Sequence, residues 1–592
     1  MAEDIAAAVA DPAVRPAKLH GRAFYESIGS PRYIVAPMVD QSEFAWRMLS
    51  RSFLPESERR SILAYSPMLH ARLFMDGQKY RDSHFQPTRS SKSQITSKPQ
   101  AGASAGSSEP DDKPYLDGNP AIDRPLFVQF CANDPEALLS AAKLVAPHCD
   151  AVDLNLGCPQ GIARKGHYGA FLQEDQELIH TMIKTLHENL SVPVTAKIRI
   201  LETKEATLAY ARNVLSAGAS ILTVHGRRRE QKGHMTGVAD WEYIRHLREN
   251  LPPETVIFAN GNMLQHGDLR RCLDATGADG VMAAEGNLSD PALFATPPPP
   301  GEETREYWRG ADGRGGFRVD AIMRRYLDIM YRYVLEQEPP ARRPLFVPGD
   351  DESWLRELRE RDEANGAEAE EPARKKRRKD GGGGAKVTSI MAGPNFVGMQ
   401  PHLFHLLRHF VTRHHDVRDA LAKSRLGDLA VYEGILAMVE RKVAEGLLEY
   451  ERTGGKSAED DGRNGAYEKS SRDAGAPAEQ AVKGNSEAEA KTEAGDVVVD
   501  DPDSSVATVK RCKRPWWVAQ PIVRPLPAEA LAKGAISLGK KDKKDAKKKA
   551  DAEGASDAVS PAIKADENGT AGQVAEALEK TTDFPESNLV SG

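Results

Sequence analysis

The chain has 592 residues, 40% of them hydrophobic, with a formal net charge of −7 and a mean hydropathy of −0.52. That length allows several domains, and so low a hydropathy implies that part of the chain does not pack. The charge is a whole-chain average in which acidic tails can hide a basic unit. The five cysteines, at 131, 149, 158, 272 and 512, form no C-x-x-C pair. This argues against a disulfide framework, a zinc ribbon or an iron–sulfur cluster, and no metal site is expected.

Residues 1–30 are Ala-rich without period and read as a disordered tail. Eight short apolar runs follow: RYIVA (32–36), SILAY (61–65), PLFVQF (125–130), AVDLNL (151–156), VPVTAKI (192–198), SILTVH (220–225), TVIFAN (255–260) and GVMAA (280–284). Helical stretches such as Pro135–Val145, Asp175–Glu188 and Lys204–Ser216 lie between most of them. Near-continuous apolar strands alternating with helices predict a parallel sheet covered on both faces. Eight such units within 31–300 predict a closed (β/α)8 TIM barrel, of class α/β. The competing doubly wound sheet is disfavoured because no G-x-G-x-x-G follows the first run. The stretch 86–120, rich in Ser, Gly, Pro and Lys, reads as a disordered insertion.

A second block, 317–452, is expected to be a smaller all-helical domain. Asp320–Gln337, Pro401–Arg413 and Ile435–Glu449 carry apolar residues at three- and four-residue spacing. It includes a charged, Gly-rich stretch, 340–390, expected to be disordered. Its cations, Arg324, Arg325, Arg332, Arg408, Arg413 and Arg418 with His402, His405, His409, His414 and His415 among them, would ordinarily be a solvated face. Residues 453–592 read as a mostly disordered tail, except for RCKRPWWVAQPIVRP (511–525), expected to be an ordered or docking segment. No apolar stretch is long enough to span a bilayer and no signal peptide is visible, so a soluble intracellular protein is expected. The basic cluster at 374–379 suggests nuclear as well as cytoplasmic location.

Barrel enzymes place their chemistry at the C-terminal ends of the strands. There the sequence has Pro37 and Met38, Gln129, Asn155 with Cys158, Lys197 with Arg199, His225 with Arg227, Asn260 to Asn262, and Glu285 with Gly286. A purely structural barrel has no need of Gln, Lys, His and Asn at these places. Lysine is almost never fully buried unpaired, which makes Lys197 inside an apolar run hard to explain by packing. Cys158, between a glycine and a proline, suits an accessible thiol better than a core position. A flavin needs such a set: a cation near N1 and O2, donors and acceptors on the pyrimidine edge, and glycine-rich loops for phosphate.

The segments VAPMVDQSEFAWRMLSR, LNLGCPQGIARKGHYGAFL, AKIRI, VHGRRREQKG and ANGNM resemble the tRNA-dihydrouridine synthases. QGIARKGHYGAFL and the 511–525 segment are similar to the eukaryotic subgroup acting on positions 16 and 17 of the D-loop. The resemblance implies FMN at the C-terminal face, reduced by NADPH or NADH. Pro37, Met38 and Val39 contact it through their backbone, Gln129 bonds the ring edge, and Lys197 sits by N1 and O2. His225, Asn260, Gly261 and Asn262 hold the ribityl-phosphate side, and Ala284 and Glu285 form the phosphate loop. Many relatives have arginine at the position of Glu285, and glutamate cannot take its part directly. Asn155 and Arg199 touch the target uracil, with Arg227 near substrate or flavin. The helical block becomes a tRNA-binding domain. Hydride goes to C6 of the uracil and Cys158 donates a proton to C5. A monomer is expected. The alternatives are a flavin barrel reducing free pyrimidines, and a non-catalytic tRNA-binding protein.

Overall fold

A computed structural model describes residues 18–91, 113–368, 393–458 and 503–532. The basic cluster at 374–379 lies outside them. So do residues 1–17, and most of the insertions and tails expected to be disordered.

The eight apolar runs form eight parallel strands, β1 (Tyr33–Val35), β2 (Ile62–Tyr65), β4 (Leu126–Cys131), β5 (Ala151–Leu156), β6 (Val194–Arg199), β7 (Ile221–His225), β8 (Val256–Asn260) and β9 (Gly280–Ala283). A two-residue strand, β3 (Leu69–His70), extends the edge of β4. β1 pairs with β2 and β9, and β2 pairs with β4, so the sheet closes into a barrel. Every residue of β2 and of β4 through β9 is buried, as expected of strands covered on both sides. The helices outside each bury one stripe. In Gln176–Asn189 it is Ile179, Met182, Ile183 and Leu186, one helical face. Side chains of Asp134, Asp175, Thr203 and Asp240 cap four of these helices and fix where each begins.

The expected N-terminal tail carries a helix, Gly21–Ser27. Phe24 and Tyr25 are buried against Phe127 and Phe258, and the Tyr25 hydroxyl donates to the carbonyl of Asp279. These contacts close the N-terminal end of the barrel, leaving the opposite end for chemistry.

Both insertions are more structured at their ends than expected. Arg47, fully buried on helix Phe44–Ser52, pairs with Asp117 and Asp123, and Arg51 pairs with Asp123. The backbone N–H of Gln86 donates to Asp117. Charges so buried must be paired, and these pairs tie both ends of 86–120 to the barrel. In 340–390, Leu345 and Phe346 are buried, Arg342 bridges Asp328 and Glu433, and a helix runs Ser353–Glu368. Composition hid this because Arg342's partners lie far away in sequence.

Helix Val319–Ile329 continues into a π-helical turn, Met330–Leu335, ended by Glu336 in the left-handed region. It packs against Phe44–Ser52 and the long helix Leu429–Arg452. The expected helix Pro401–Arg413 is two helices, Pro394–Leu406 and Arg408–Arg413, the first with Pro401 inside it. His402 stacks on Trp46 at 4.0 Å between ring centres and shares a hydrogen bond of 2.9 Å with Glu43, which seats the helices on the barrel.

Candidate active site at the C-terminal mouth of the barrel

Parallel register brings the strand-end residues side by side. Asn155 is opposite Lys197, Arg199 opposite His225, and His225 opposite Asn260.

Cys158 follows β5 in a loop held on three sides. Asn155 Oδ1 accepts hydrogen bonds from the backbone N–H groups of Gly157 (3.1 Å) and Cys158 (2.9 Å). Arg199 Nε donates to the Gly157 carbonyl at 2.7 Å. Gly169 lies against the thiol loop with φ near 64°, and a Cβ there would stand 2.9 Å from Cys158 Cβ. Only glycine fits that approach and that backbone. Cys158 itself is 6% exposed. Burial raises its pKa, opposed by the charges of Arg199, Lys197 and Lys232, so the thiol is protonated at neutral pH.

Beneath it runs a hydrogen-bonded chain. Gln129 Nε2 donates to Asp153 and Gln129 Oε1 accepts from Asn155 Nδ2, each at 2.7 Å. This fixes the Gln129 amide and leaves it one free N–H. Asn155 is thus largely spent on positioning Cys158 and Gln129, a role not foreseen from the sequence.

Lys197 is buried and has no hydrogen-bond partner among the described residues. Desolvation, then repulsion from Arg199, pushes its pKa down to about 7. His225 is buried and its pKa lies well below the usual value, first from desolvation and then from nearby cations. Arg227 Nη1 donates to His225 Nε2 at 3.1 Å, which leaves the proton on Nδ1, where it has no partner. Asn260 Nδ2 donates to the Met282 carbonyl, while its buried Oδ1 is unpartnered.

Next to these lies a cavity of about 460 Å³ at the ends of β7, β8 and β9. Of the residues singled out in the sequence, Arg227, Asn260, Gly261, Asn262, Ala284 and Glu285 line it. Arg227 Nη2 donates to Asn262 Oδ1 (2.9 Å) and to the Gly237 carbonyl (3.0 Å). A Cβ on Gly286 would stand 1.9 Å from the Met263 carbonyl oxygen, so the loop closes only with glycine there. The remaining residues are at the mouth but off this cavity. Met38 is buried and exchanges backbone hydrogen bonds with the Ser42 hydroxyl, beside Pro37, while Val39 is exposed.

The donor set fits a flavin mononucleotide. Lys197 is an unpartnered buried cation, His225 Nδ1 and Asn260 Oδ1 are buried polar atoms awaiting partners, and a cavity with arginine walls adjoins them.

One residue of this cavity was missed. Arg524, from the late segment, pairs with Glu285, its Nη2 donating to Oε1 at 2.6 Å. The segment 511–525 stood out in the sequence, but nothing local indicated which barrel residue it would meet.

The cations of the helical block are mostly committed elsewhere. Arg324 pairs with Glu440, Arg325 with Glu306, Arg418 with Asp419, and Arg413 lies over Trp516. Burial lowers His405, His409 and His414 to about 4, so they carry no charge at neutral pH. Arg332 and Arg408 are exposed. Exposed cations also stand on the barrel's own loops: Arg164 and Lys165 on helix Gly161–Gly166, which follows Cys158, and Arg228 and Lys232 after β7.

Residues 34–309 match the family described as dihydrouridine synthase (Dus). A Schizosaccharomyces pombe protein named tRNA-dihydrouridine(16/17) synthase [NAD(P)(+)] is 49% identical over 321 residues, 54% of this chain and 69% of that protein. The chain belongs to the dihydrouridine synthase family. A Saccharomyces cerevisiae synthase of the same name is 56% identical over 277 residues, 47% of this chain and 57% of that one. A mouse protein named tRNA-dihydrouridine(20a/20b) synthase [NAD(P)+]-like is 32% identical over 265 residues, 44% of this chain and 68% of that one. The chain thus spans 57–69% of the length of these three relatives.

Proposed function

We propose that this chain reduces the C5–C6 double bond of uridine at positions 16 and 17 of the tRNA D-loop, with FMN as carrier and NADPH or NADH as electron source. The observation that carries the reading is a protonated thiol, Cys158, held beside the buried cations Lys197 and Arg199 at the mouth of a dihydrouridine synthase barrel. Reduced FMN, when bound, supplies the hydride for C6. Addition at C6 builds negative charge at C5, which must be quenched by a proton.

The chain's own residues serve that step as follows. Asn155 and Arg199 hold the Cys158 backbone, and the thiol donates its proton to C5. The resulting thiolate is stabilised by Arg199, Lys197 and Lys232. With a flavin bound, Lys197 would supply the cation that balances negative charge on its ring, and His225 and Asn260 would offer the cofactor a donor and an acceptor. The uridine must leave its stack to reach the thiol, as for other enzymes that modify bases.

Incubating the purified protein with NADPH and an unmodified tRNA transcript, then mapping dihydrouridine, tests the reading. Dihydrouridine at 16 and 17 supports it. Reduction of free uracil with none in tRNA would replace it with a free-pyrimidine reductase. A colourless protein inert on both would leave a non-catalytic RNA binder.

The tRNA grip follows from where the free cations are. The helical block's arginines are largely paired, so we assign a main part of the phosphate contacts to the loop cations around Cys158. Replacing Arg164 and Lys165 together with Ala should weaken tRNA binding for every tRNA sequence alike. It should also lower the slope of log K against log salt by about one to two, since each phosphate contact releases about one counterion. Titrations at several salt concentrations check this, and an unchanged slope would return the grip to the helical block.

A further inference from the structure

The segment 503–532 is strapped across the molecule. Its middle is anchored on the helical side: Val319 N–H donates to the Trp517 carbonyl and Ala519 N–H to the Phe317 carbonyl, each at 2.9 Å. Trp516 and Trp517 are buried, and Trp516 packs against Phe410 and His414. A Cβ on Gly446 would stand 2.6 Å from the Trp516 ring, so the long helix is cut away to receive it. Beyond the anchor the strap crosses to the barrel, where Pro527 lies against Gly237. Between these two attachments Ile522, Val523, Arg524 and Leu526 form one wall of the 460 Å³ cavity.

Arg524 contacts both oxygens of Glu285, from Nε at 3.2 and 3.1 Å and from Nη2 at 2.6 Å. A second guanidinium, that of Arg227, lines the same cavity. Arg227 and Arg408 both feel the negative charge of Glu285 and the positive charge of Arg524. The cavity lining carries five arginines, Arg227 and Arg524 among them, against four carboxylates, which leaves a small excess of positive charge on a half-enclosed cavity floored by Gly261 and Gly286. Such an arrangement is suited to a dianion, because guanidinium groups bind phosphate through paired, charge-assisted hydrogen bonds.

We propose that the strap supplies Arg524 as a phosphate-binding residue for FMN, with Glu285 holding its guanidinium in place. The proposal rests on the flavin reading above. Cofactor retention then depends on a segment more than two hundred residues from the barrel in sequence, and a strap that is undocked leaves the phosphate end one cation short.

The test is fluorescence titration of flavin-free protein with FMN and with riboflavin, which lacks the phosphate. Arg524→Gln should raise the FMN Kd by about ten- to a hundredfold, as loss of a charged hydrogen-bond partner does, and leave the riboflavin Kd within about twofold. Arg524→Lys should recover part of the loss. Glu285→Gln keeps an acceptor oxygen for Arg524 and removes the competing negative charge, so FMN binding should hold or tighten.

If the pair merely docks the strap, Glu285→Gln and Arg524→Gln should weaken both flavins alike, or neither, and either result overturns the proposal. The near-ultraviolet dichroism of Trp516 and Trp517 reports whether the strap is docked in each variant. Wild-type protein that binds FMN no better than riboflavin overturns the proposal while leaving the flavin reading standing. Wild-type protein that binds neither removes both.

Discussion

Cys158→Ala should leave FMN bound and reducible by NADPH, yet lower tRNA reduction by roughly a hundred- to ten-thousand-fold, the range general acid catalysis contributes. The magnitude follows from what the thiol does. Without it, charge arising at C5 must be quenched by water or by a less well placed group. The other proton-bearing groups beside it are Arg199, its pKa pushed down to about 10, and Lys197, at about 7, whose charge the flavin's pyrimidine edge calls for, so any donation by them sets the low end of the loss. The pH dependence should carry a matching signature. Burial places the thiol's pKa above its ordinary value, so the wild-type tRNA half-reaction should persist through neutral pH and fall when the thiol ionises. In Cys158→Ala that alkaline fall should vanish with the rate. Stopped-flow measurement of the two half-reactions separates the steps. A variant slow in flavin reduction but normal on tRNA would show that Cys158 is structural, and full tRNA activity would remove it from the chemistry.

The barrel was legible in the sequence because its strands are buried on both faces. GVMA has no polar residue and AVDLNL only Asp153 and Asn155, both buried, and the structure places β5 and β9 within those runs. The mouth was legible for a related reason. In a parallel barrel, strand ends converge, so a polar residue closing each apolar run must meet its neighbours, as Arg199, His225 and Asn260 do. What could not be read are contacts made by segments distant in the chain. Glu285 looked like a lost phosphate ligand until Arg524 was found beside it, 239 residues away. Arg324 and Arg325 read as a solvated face in the sequence, and as RNA-facing only through the resemblance that makes their block a tRNA-binding domain. Their partners, Glu440 and Glu306, come from other elements, and no periodicity on one helix reveals them. Local composition also misjudged 340–352, where Arg342 and Phe346 are fixed by tertiary contacts.

Lys197→Met should do two things of opposite sign, making the flavin-free protein more stable and the flavin less well held. The first follows from linkage. Burial, with Arg199 beside it, depresses the folded-state pKa to about 7, against about 10.4 in an unfolded chain. Between these values the unfolded chain holds a proton that the folded chain has lost, so stability of the flavin-free protein rises with pH across that window. Below about pH 7 both states are protonated and the whole cost of burying an unpaired ammonium is present. Methionine, similar in length and uncharged, removes that cost. Each pH unit separating the folded and unfolded pKa values corresponds to about 1.36 kcal/mol. The variant should therefore gain up to a few kcal/mol at about pH 6, and the gain should shrink toward zero near pH 10. Urea titrations of flavin-free protein at about pH 6 and pH 9 measure it. The second effect follows because the same cation is what a reduced, anionic flavin ring calls for, so the variant should retain less FMN and reduce it more slowly. A residue kept at a loss of stability because a bound cofactor needs it is the usual mark of a functional site. Parallel stability curves for wild type and variant would show that Lys197 is already well paired in the folded state. Unchanged flavin content and reduction rate would show that its charge faces something other than the cofactor.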